Sequence, residues 1–297
     1  MSICVITLCY NEEVILPFFI RHYERVADRL IFYDGRSTDR TREIIAACSI
    51  AELRELDTGG QVDDGANVRM KNSAYRDIDA DWFIVVDCDE FLSHPDLRGF
   101  LAKCDSLGLN VVRCEGWNMI GDAIPADGLL TEQMPNGVRD DYTIAFFDKV
   151  ALFKRDADVR FDPGGHDCQI GNGRRAPGLP VKLLHYKWLS LEYVQRKARN
   201  LKLSTNNIQN GWGFIAPSVP SSETWVDYYQ RARAQRIKVD LGVREKWNSR
   251  AGLYWAHLFP SSDHMKAVHG DRHPALLPVL YAARLLRAAG RRLVWKS

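Results

Sequence analysis

No run of about 18 apolar residues occurs in the 297-residue sequence, so no segment is expected to span a membrane. The sequence starts directly with a strand-like segment and lacks the basic stretch and apolar core of a signal peptide, which argues against export. Its seven cysteines are dispersed, without the paired spacing of a zinc site, and indicate reduced thiols. These absences together predict a cytoplasmic protein.

A strong excess of charge of one sign is also missing. The formal net charge is +2, which does not produce the field of a dedicated nucleic-acid-binding protein, so no nucleic-acid partner is expected. The composition, 46% hydrophobic and 26% charged, is typical of a globular protein with a sizeable core. Internal repeats and low-complexity segments are absent, and the length allows one large α/β domain with additions, or two domains.

Short apolar segments alternate with helical patterns in the first third of the chain. The predicted strands are Cys4–Cys9, Arg29–Asp34, Ala51–Leu56 and Trp82–Val86. The predicted helices run from an Asn11 cap to about Asp28, from a Ser37 or Thr38 cap to near Cys48, and from Ala66 to Ile78. The order β-α-β-α-β-α-β predicts a parallel sheet with right-handed crossovers.

The fourth of these strands, Trp82–Val86, runs directly into Asp87, Asp89 and Glu90. An unbroken apolar run of this kind is typical of a strand buried on both faces. Carboxylates cannot follow it into the core, because an unpaired buried charge is very costly. The strand is therefore expected to end at an open edge, either in a solvated acidic turn or at a binding site.

The strands before it favour the binding site. Asp34 and Asp57 follow the second and third strands, so three strands end in carboxylates. The carboxyl ends of parallel strands meet at one edge, where open α/β sheets bind ligands.

Beyond residue 90 the pattern mixes strands, loops and helices. The further predicted strands are Asn110–Glu115, Lys149–Lys154 and Val181–Trp188, the predicted helices are Pro95–Lys103 and a basic helix capped by Ser190, and the predicted loops are 116–141 and 205–225. From Trp225 onward the sequence is expected to be mainly helical. We expect a catalytic domain over residues 1–190 and a mainly helical C-terminal extension over residues 191–297.

Three motifs in order, CVITLCYNEE, YDGRSTDRT and WFIVVDCDEF, resemble those of GT-A glycosyltransferases of the family 2 type. The sequence is most similar to a bacterial subgroup with a D-x-D-E-F motif and later G-x-H and H-Y motifs. The resemblance covers about residues 3–190. It implies an α/β fold of the GT-A, Rossmann-like type, with a mostly parallel central sheet flanked by helices.

The resemblance implies a nucleotide-sugar donor and a divalent metal ion, Mn²⁺ or Mg²⁺. In such enzymes the D-x-D acids, here Asp87 and Asp89, bind the metal ion and the donor diphosphate. The acid that ends the second strand, Asp34, contacts the nucleoside, and Asp57 is expected near the base. A cation held by carboxylates and phosphate oxygens neutralises a diphosphate leaving group, so the residue types suit the chemistry.

Other residues near these motifs have two interpretations each. Asn11 and Glu12 either contact the nucleotide base or cap a helix. Arg69 and Lys71 either steady a phosphate or sugar, or lie on a solvated helix face. His185, in the H-Y motif, either completes a Mn²⁺ site through its imidazole or is a core histidine. Glu90 is either a third metal ligand or a partner in a salt bridge or cap.

The catalytic base has no single candidate. Family 2 enzymes usually carry an E-D pair whose aspartate is the base, and the sequence lacks such a pair. An inverting transfer needs a group that takes the proton of the acceptor hydroxyl. Asp167 and His166 follow a Pro-Gly-Gly turn and are candidates for this role, unless they only stabilise the turn. Asp141, with its neighbour Asp140, is the alternative base.

Two features point to the acceptor. Trp117 and Asn118 are candidate acceptor-binding residues, because an aromatic face stacks on a sugar ring, although a tryptophan also suits a core. The basic amphipathic segment Pro274–Lys296 either docks on the catalytic domain or makes peripheral contact with the inner face of an anionic membrane. The second case would suit a lipid-linked acceptor.

The sequence therefore predicts a metal-dependent, inverting, hexosyltransferase-like glycosyltransferase that acts on a glycan or a lipid-linked acceptor, as in polysaccharide biosynthesis. One alternative is a non-catalytic carbohydrate-binding or scaffold protein on a degenerate transferase fold. Another is a Mg²⁺-dependent phosphohydrolase of the haloacid-dehalogenase type. That class carries D-x-D after its first strand, whereas here the motif follows the fourth.

Overall fold

Twelve strands and eight α-helices are present in the described part of the computed structural model, which comprises residues 1–139, 148–165, 167–200, 202–210 and 221–242. The strands are β1 (Ile3–Cys9), β2 (Arg29–Asp34), β3 (Ala51–Glu55), β4 (Trp82–Val85), β5 (Glu90–Ser93), β6 (Val111–Ile120), β7 (Asn136–Val138), β8 (Lys149–Phe153), β9 (Val159–Phe161), β10 (Cys168–Ile170), β11 (Val181–Trp188) and β12 (Ile237–Lys238). The helices are α1 (Leu16–Tyr23), α2 (Thr41–Ala46), α3 (Asp64–Ala74), α4 (Leu97–Ser106), α5 (Leu130–Gln133), α6 (Leu191–Asn200), α7 (Thr205–Asn210) and α8 (Ser221–Gln235). None of the helices within these ranges is both long and apolar enough to cross a bilayer.

The four strands predicted for the first third of the chain form the parallel part of the central sheet. β1 lies between β2 and β4, and β3 pairs with the outer side of β2, all in parallel register. β1 and β4 are almost entirely buried, because helices cover the Val- and Ile-rich strands on both faces. The predicted parallel arrangement of these strands is confirmed, and their carboxyl ends meet at one edge, which we call the binding edge.

The other part of the sheet contains antiparallel pairs, so the sheet as a whole is mixed rather than mostly parallel. β8 pairs antiparallel with both β4 and β6, and β7 pairs antiparallel with β6 and β12. β9 and β10 form a separate antiparallel pair. The α/β architecture with flanking helices agrees with the predicted fold class.

β5 is a strand that the sequence pattern did not predict. It begins at Glu90, directly after the D-x-D acids, and pairs antiparallel with β11 so that Glu90 lies opposite His185. The buried Tyr23 hydroxyl holds it, donating to the Glu90 carbonyl oxygen at 2.9 Å and accepting from the Leu92 amide at 3.0 Å. This pairing brings the H-Y motif next to the D-x-D motif.

The prediction that residues 116–141 are mainly loop was wrong in part. β6 continues to Ile120, because its second half pairs in parallel with β11 and the Gly116 amide donates to Asp148 Oδ1 at 2.8 Å. Trp117 and Asn118 are therefore strand residues. The same segment also contains α5 and β7. Residues 140–147, including Asp140 and Asp141, lie outside the described residues.

Several predicted helix ends were also wrong. α1 begins at Leu16, so Asn11 is not its cap, and α2 begins at Thr41 without a side-chain cap from Ser37 or Thr38. α3 begins earlier than predicted, because the Asp63 side chain accepts from the Ala66 amide at 2.8 Å. The predicted loop 205–225 contains α7 and the start of α8.

The helices after β11 pack on the sheet. Ser190 Oγ accepts from the Tyr193 amide at 3.2 Å, which confirms the predicted cap of α6. α8 packs on β6 and β7, and the hydroxyl of its buried Tyr229 donates to the Gly121 carbonyl at 2.7 Å. The domain boundary at residue 190 stays a prediction, and the segment Pro274–Lys296 lies outside the described residues.

Candidate active site

The D-x-D loop follows β4 at the binding edge and is fixed by the inward-facing Glu90. Glu90 is only 5% exposed. One of its carboxylate oxygens accepts from the Asp87 amide at 2.9 Å, and the other forms an ion pair of 2.6 Å with the Nζ of the buried Lys149 on β8. Glu90 is therefore the salt-bridge partner of Lys149, the second of its two predicted roles, whereas the side chains of Asp87 and Asp89 keep 43% and 14% of their surface exposed.

Asp87 is paired with Lys71 of α3. The Lys71 Nζ lies 2.7 Å from Asp87 Oδ1, and the Asp87 side chain remains 43% exposed. Burial acts to raise the pKa of Asp87, but the Lys71 and Lys149 ammonium groups hold it at about 2. Lys71 itself is buried, so it lies at the site and not on a solvated helix face.

Asp89 faces His185 of β11. His185 Nε2 lies 3.5 Å from Asp89 Oδ1, and the backbone ties the two segments where the Tyr186 amide donates to the Asp89 carbonyl at 2.6 Å. Burial acts to raise the pKa of Asp89, but the positive charge of His185 in its protonated form holds it well below its usual range, with smaller contributions from Lys197 and Lys187.

A hydrogen-bonded chain behind His185 fixes its ring. His185 Nδ1 lies 2.9 Å from Asn118 Oδ1, and Asn118 Nδ2 donates to the Tyr228 hydroxyl of α8 at 2.7 Å. Because an amide oxygen can only accept, Nδ1 carries the proton in this contact, and Nε2 is the nitrogen directed at Asp89. Asn118 is 1% exposed, so its place in this structure is behind His185.

Glu12 and Lys197 form a second, partly buried ion pair at the binding edge. The Lys197 Nζ on α6 lies 2.5 Å from Glu12 Oε1, whereas Glu12 Oε2 is buried without a hydrogen-bond partner among the described residues. Burial raises the pKa of Glu12. Lys187, on β11, is also partly buried, and burial lowers its pKa to about 8.

Side chains join the loop after β1 to the loop after β2. From the sequence, these side chains were expected to cap helices or to contact the nucleoside. Asn11 has a φ of 55°, and its Oδ1 accepts from the Thr38 amide at 2.8 Å. Ser37 Oγ accepts from the Asn11 amide at 2.8 Å and donates to Asp34 Oδ1 at 2.5 Å. Asp34 is 1% exposed, so in this structure it shapes the loop, and its predicted contact with a nucleoside stays a prediction.

We expect Asn11→Ala to lower the free energy of unfolding by about 2 kcal/mol, because it removes the side-chain hydrogen bond to Thr38 and leaves in the left-handed region a residue that tolerates it less well than asparagine. Asn11→Gly loses only the hydrogen bond and is expected to cost about 1 kcal/mol. Urea denaturation of both variants measures the difference. Equal losses would show that the backbone conformation of residue 11 carries no cost.

The remaining predicted site residues are Asp57, Arg69, Asp167, Trp117 and His166. Asp57 is exposed and pairs with Arg36 at 3.0 Å, and Arg69 is exposed on α3, so neither is drawn into the D-x-D cluster. Asp167 is exposed, and its Oδ1 accepts from the amide of Cys168 at 2.9 Å. Trp117 is half-buried below the Arg139 guanidinium, 5.8 Å from its ring centroid. His166 lies outside the described residues.

The turn before Asp167 nevertheless lies at the site. Gly165 is buried with a φ of 69°, and a Cβ added there would lie 3.1 Å from the Lys71 Nζ. Gly165 therefore allows the turn to approach the Lys71–Asp87 pair closely.

Sequence reasoning missed the lysines of the site, Lys149, Lys187 and Lys197. Each lies in an element that was predicted correctly, but a lysine on a strand or helix has no motif that separates it from a solvated one. Only the pairing of distant elements brings these side chains to the binding edge.

The predicted metal ligands Asp87, Asp89 and His185 do not form one cluster. Within the described ranges no group of three or more His, Cys, Asp or Glu side chains is arranged to hold an ion, and Asp87 Oδ1 is directed at Lys71. Asp89 and His185 present an anionic oxygen and an imidazole nitrogen to the same space, a donor set that suits Mn²⁺ when phosphate oxygens and water complete the coordination.

One family model and several solved structures are similar to this chain. A search of curated proteins gave no match. One similar solved structure, S. aureus TarS 1-349, has 15% identity and a TM-score of 0.40, covering 67% of this chain and 65% of that chain. Another, glucosyl-3-phosphoglycerate synthase from Mycobacterium tuberculosis in complex with Mn²⁺, uridine-diphosphate and glucosyl-3-phosphoglycerate, has 21% identity and a TM-score of 0.29, covering 39% and 44%. The family model described as glycosyl transferase family 2 matches residues 4–117 of this chain, the segment that contains the three motifs.

Proposed function

We propose that the protein is a metal-dependent, inverting glycosyltransferase that uses a nucleotide-diphosphate sugar. The observation that supports this most is the position of Asp87 and Asp89. They lie after β4 within the family 2 segment and face outward at the carboxyl edge of the parallel strands. Open α/β sheets bind their ligands at this edge.

On the donor side, Asp89 and His185 would hold Mn²⁺ or Mg²⁺ against the diphosphate. The ion would neutralise the charge that develops on the leaving group. Lys71 holds Asp87 in place and supplies a further positive charge near the diphosphate. The loops after β1 and β2, with Asn11, Asp34 and nearby Asp57, would form the nucleoside side.

In the transfer, the acceptor hydroxyl gives its proton to a base, and its oxygen bonds to the anomeric carbon as the carbon–oxygen bond to the diphosphate breaks. The nucleoside diphosphate leaves with that electron pair. Asp167 is the described candidate for the base, supported by its exposed carboxylate and by the position of Gly165 beside Lys71. His166 and Asp141 remain the other candidates. Trp117 would contribute to the acceptor side.

The acceptor would be a glycan or a lipid-linked glycan at the cytoplasmic face of a membrane. A non-catalytic carbohydrate-binding protein is the second candidate. The pairing of Asp87 with Lys71 and of Asp89 with His185 favours it, because each acid has a partner within the chain.

Release of nucleoside diphosphate from a panel of nucleotide sugars, with and without Mn²⁺, tests the proposal. We expect Mn²⁺-dependent release from one class of donor, and stabilisation of about 2.7 kcal/mol in thermal unfolding when its nucleoside diphosphate is at a hundred times its dissociation constant. Stabilisation without release from any donor would favour the non-catalytic protein. Neither effect with any nucleotide would contradict both candidates.

A further inference from the structure

Lys187 differs from the other lysines at the binding edge in its partner. The others each pair with a carboxylate: Lys71 with Asp87 at 2.7 Å, Lys149 with Glu90 at 2.6 Å and Lys197 with Glu12 at 2.5 Å. Lys187 makes no ion pair with a carboxylate of the described residues. Its Nζ lies 3.8 Å from the centroid of the Trp225 ring on α8 and 5.4 Å from that of Trp188.

The position of Lys187 is on the acceptor side of the D-x-D loop. It follows His185 by two residues on β11, within the part of the strand where the register with β6 shifts. β11 pairs with β5 and β6, away from β1, β2 and β3, where the nucleoside would lie. β5 continues directly from the D-x-D acids, so β11 carries Lys187 on a strand next to that loop.

Buried polar atoms nearby also lack partners. Trp188 is 7% exposed and Tyr193 of α6 is 3% exposed. Within the part of the chain that the structure describes, neither the Trp188 Nε1 nor the Tyr193 hydroxyl forms a hydrogen bond. Unsatisfied buried polar groups are costly, and ligands often supply the missing partners. We call Lys187, Trp188, Tyr193 and Trp225 the acceptor wall.

We infer that the acceptor wall binds an anionic acceptor, with Lys187 anchoring a phosphate or carboxylate group of that molecule. An ammonium group on an aromatic surface, partly shielded from water, attracts an anion more strongly than an exposed lysine does. The half-buried Trp225 ring, next to the Lys187 ammonium group, provides an apolar face for the carbon skeleton beside the anion. The identification of the bound molecule as an acceptor rests on the proposed function, whereas the anion site itself does not.

Titration of the full-length chain with glycerol 3-phosphate, followed by tryptophan fluorescence, tests the inference, with glycerol as the neutral probe. We expect binding of glycerol 3-phosphate but not of glycerol. Lys187→Gln is expected to weaken that binding by about tenfold, and Lys187→Arg to retain it. Lys238→Gln, which changes an exposed lysine on β12, is the matched control and should leave it unchanged.

A parallel titration with UDP and Mn²⁺ separates the acceptor from the donor. Unchanged UDP affinity in Lys187→Gln supports the acceptor wall. Loss of UDP affinity in the same variant would assign Lys187 to the donor diphosphate and overturn the inference, as would equal glycerol 3-phosphate binding in all variants. A wild-type chain that binds glycerol 3-phosphate through Lys187 but no nucleotide would support the anion site and contradict the proposed function.

Discussion

Asp89→Asn is expected to lower the rate of nucleoside diphosphate release by about a hundred- to a thousand-fold, a cost of about 3–4 kcal/mol in the transition state. The reason is the loss of the Asp89 carboxylate, which lies 3.5 Å from the His185 imidazole. An amide keeps the shape but removes the charge that would hold a divalent cation against the diphosphate. Steady-state rates over a range of Mn²⁺ concentrations measure the effect.

Two variants make this result specific. Asp77→Asn changes an exposed aspartate after α3 and should leave both the rate and its Mn²⁺ dependence unchanged. His185→Gln is expected to shift the Mn²⁺ dependence to higher concentration by about 10–100-fold, because it removes the facing imidazole. Full Mn²⁺-dependent turnover by Asp89→Asn would remove Asp89 from the site and with it the main support for the proposed function.

The parallel part of the fold could be predicted from the sequence because its signals are local. Trp82–Val85 is an unbroken apolar run, and the acids after it cannot be buried unpaired, so both the strand and its open end follow from neighbouring residues. The same holds for β1 and β2. The outward-facing Asp87 and Asp89 are therefore predictable without knowledge of the rest of the chain.

The arrangement around these acids could not be predicted in the same way, since it depends on pairing between distant segments. Glu90–Ser93 is too short to identify as a strand by itself, and only its pairing with β11 sets Glu90 opposite His185. The Gly116-Trp117-Asn118 segment has the composition of a turn, but pairing with β11 extends β6 through it. Tertiary contacts override local preference at such positions.

The contacts of Asp34 could not be predicted from the sequence either. A carboxylate at the end of a strand has the same sequence pattern whether it contacts a ligand or the next turn. Here the Ser37 hydroxyl and amide both donate to it, and the Arg42 guanidinium lies 3.6 Å away. The local alternative for this residue, a turn-forming aspartate, describes the observed contacts.

Three carboxylates at the binding edge, those of Asp87, Glu90 and Glu12, each form an ion pair with a lysine. The pairs join different elements: α3 with the D-x-D loop, β8 with β5, and α6 with the loop after β1. The Lys149–Glu90 pair is the most buried of the three, and there a single unpaired charge would be the most costly. These pairs fix the loops that surround Asp89.

Lys149→Met is expected to lower the free energy of unfolding by about 3–5 kcal/mol, the largest stability effect that we predict. Lys149 is 3% exposed and Glu90 is 5% exposed, so the variant leaves a buried carboxylate without its counter-charge. Because Glu90 also accepts from the Asp87 amide, the same variant should weaken metal-dependent donor binding. Urea denaturation measures the first effect, and UDP titration with Mn²⁺ the second.

The double variant Glu90→Gln/Lys149→Met should recover part of the lost stability, because no unpaired charge remains in the core. Lys154→Met is the matched control at the end of the same strand. Its partner is Asp105, and both side chains are about one-third exposed, at 31% and 32%, so a loss of only about 0–1 kcal/mol is expected. If Lys149→Met and Lys154→Met lower the free energy of unfolding equally, the Lys149–Glu90 pair does not hold the D-x-D loop. The pairing of β5 with β11 alone would then fix the position of the loop.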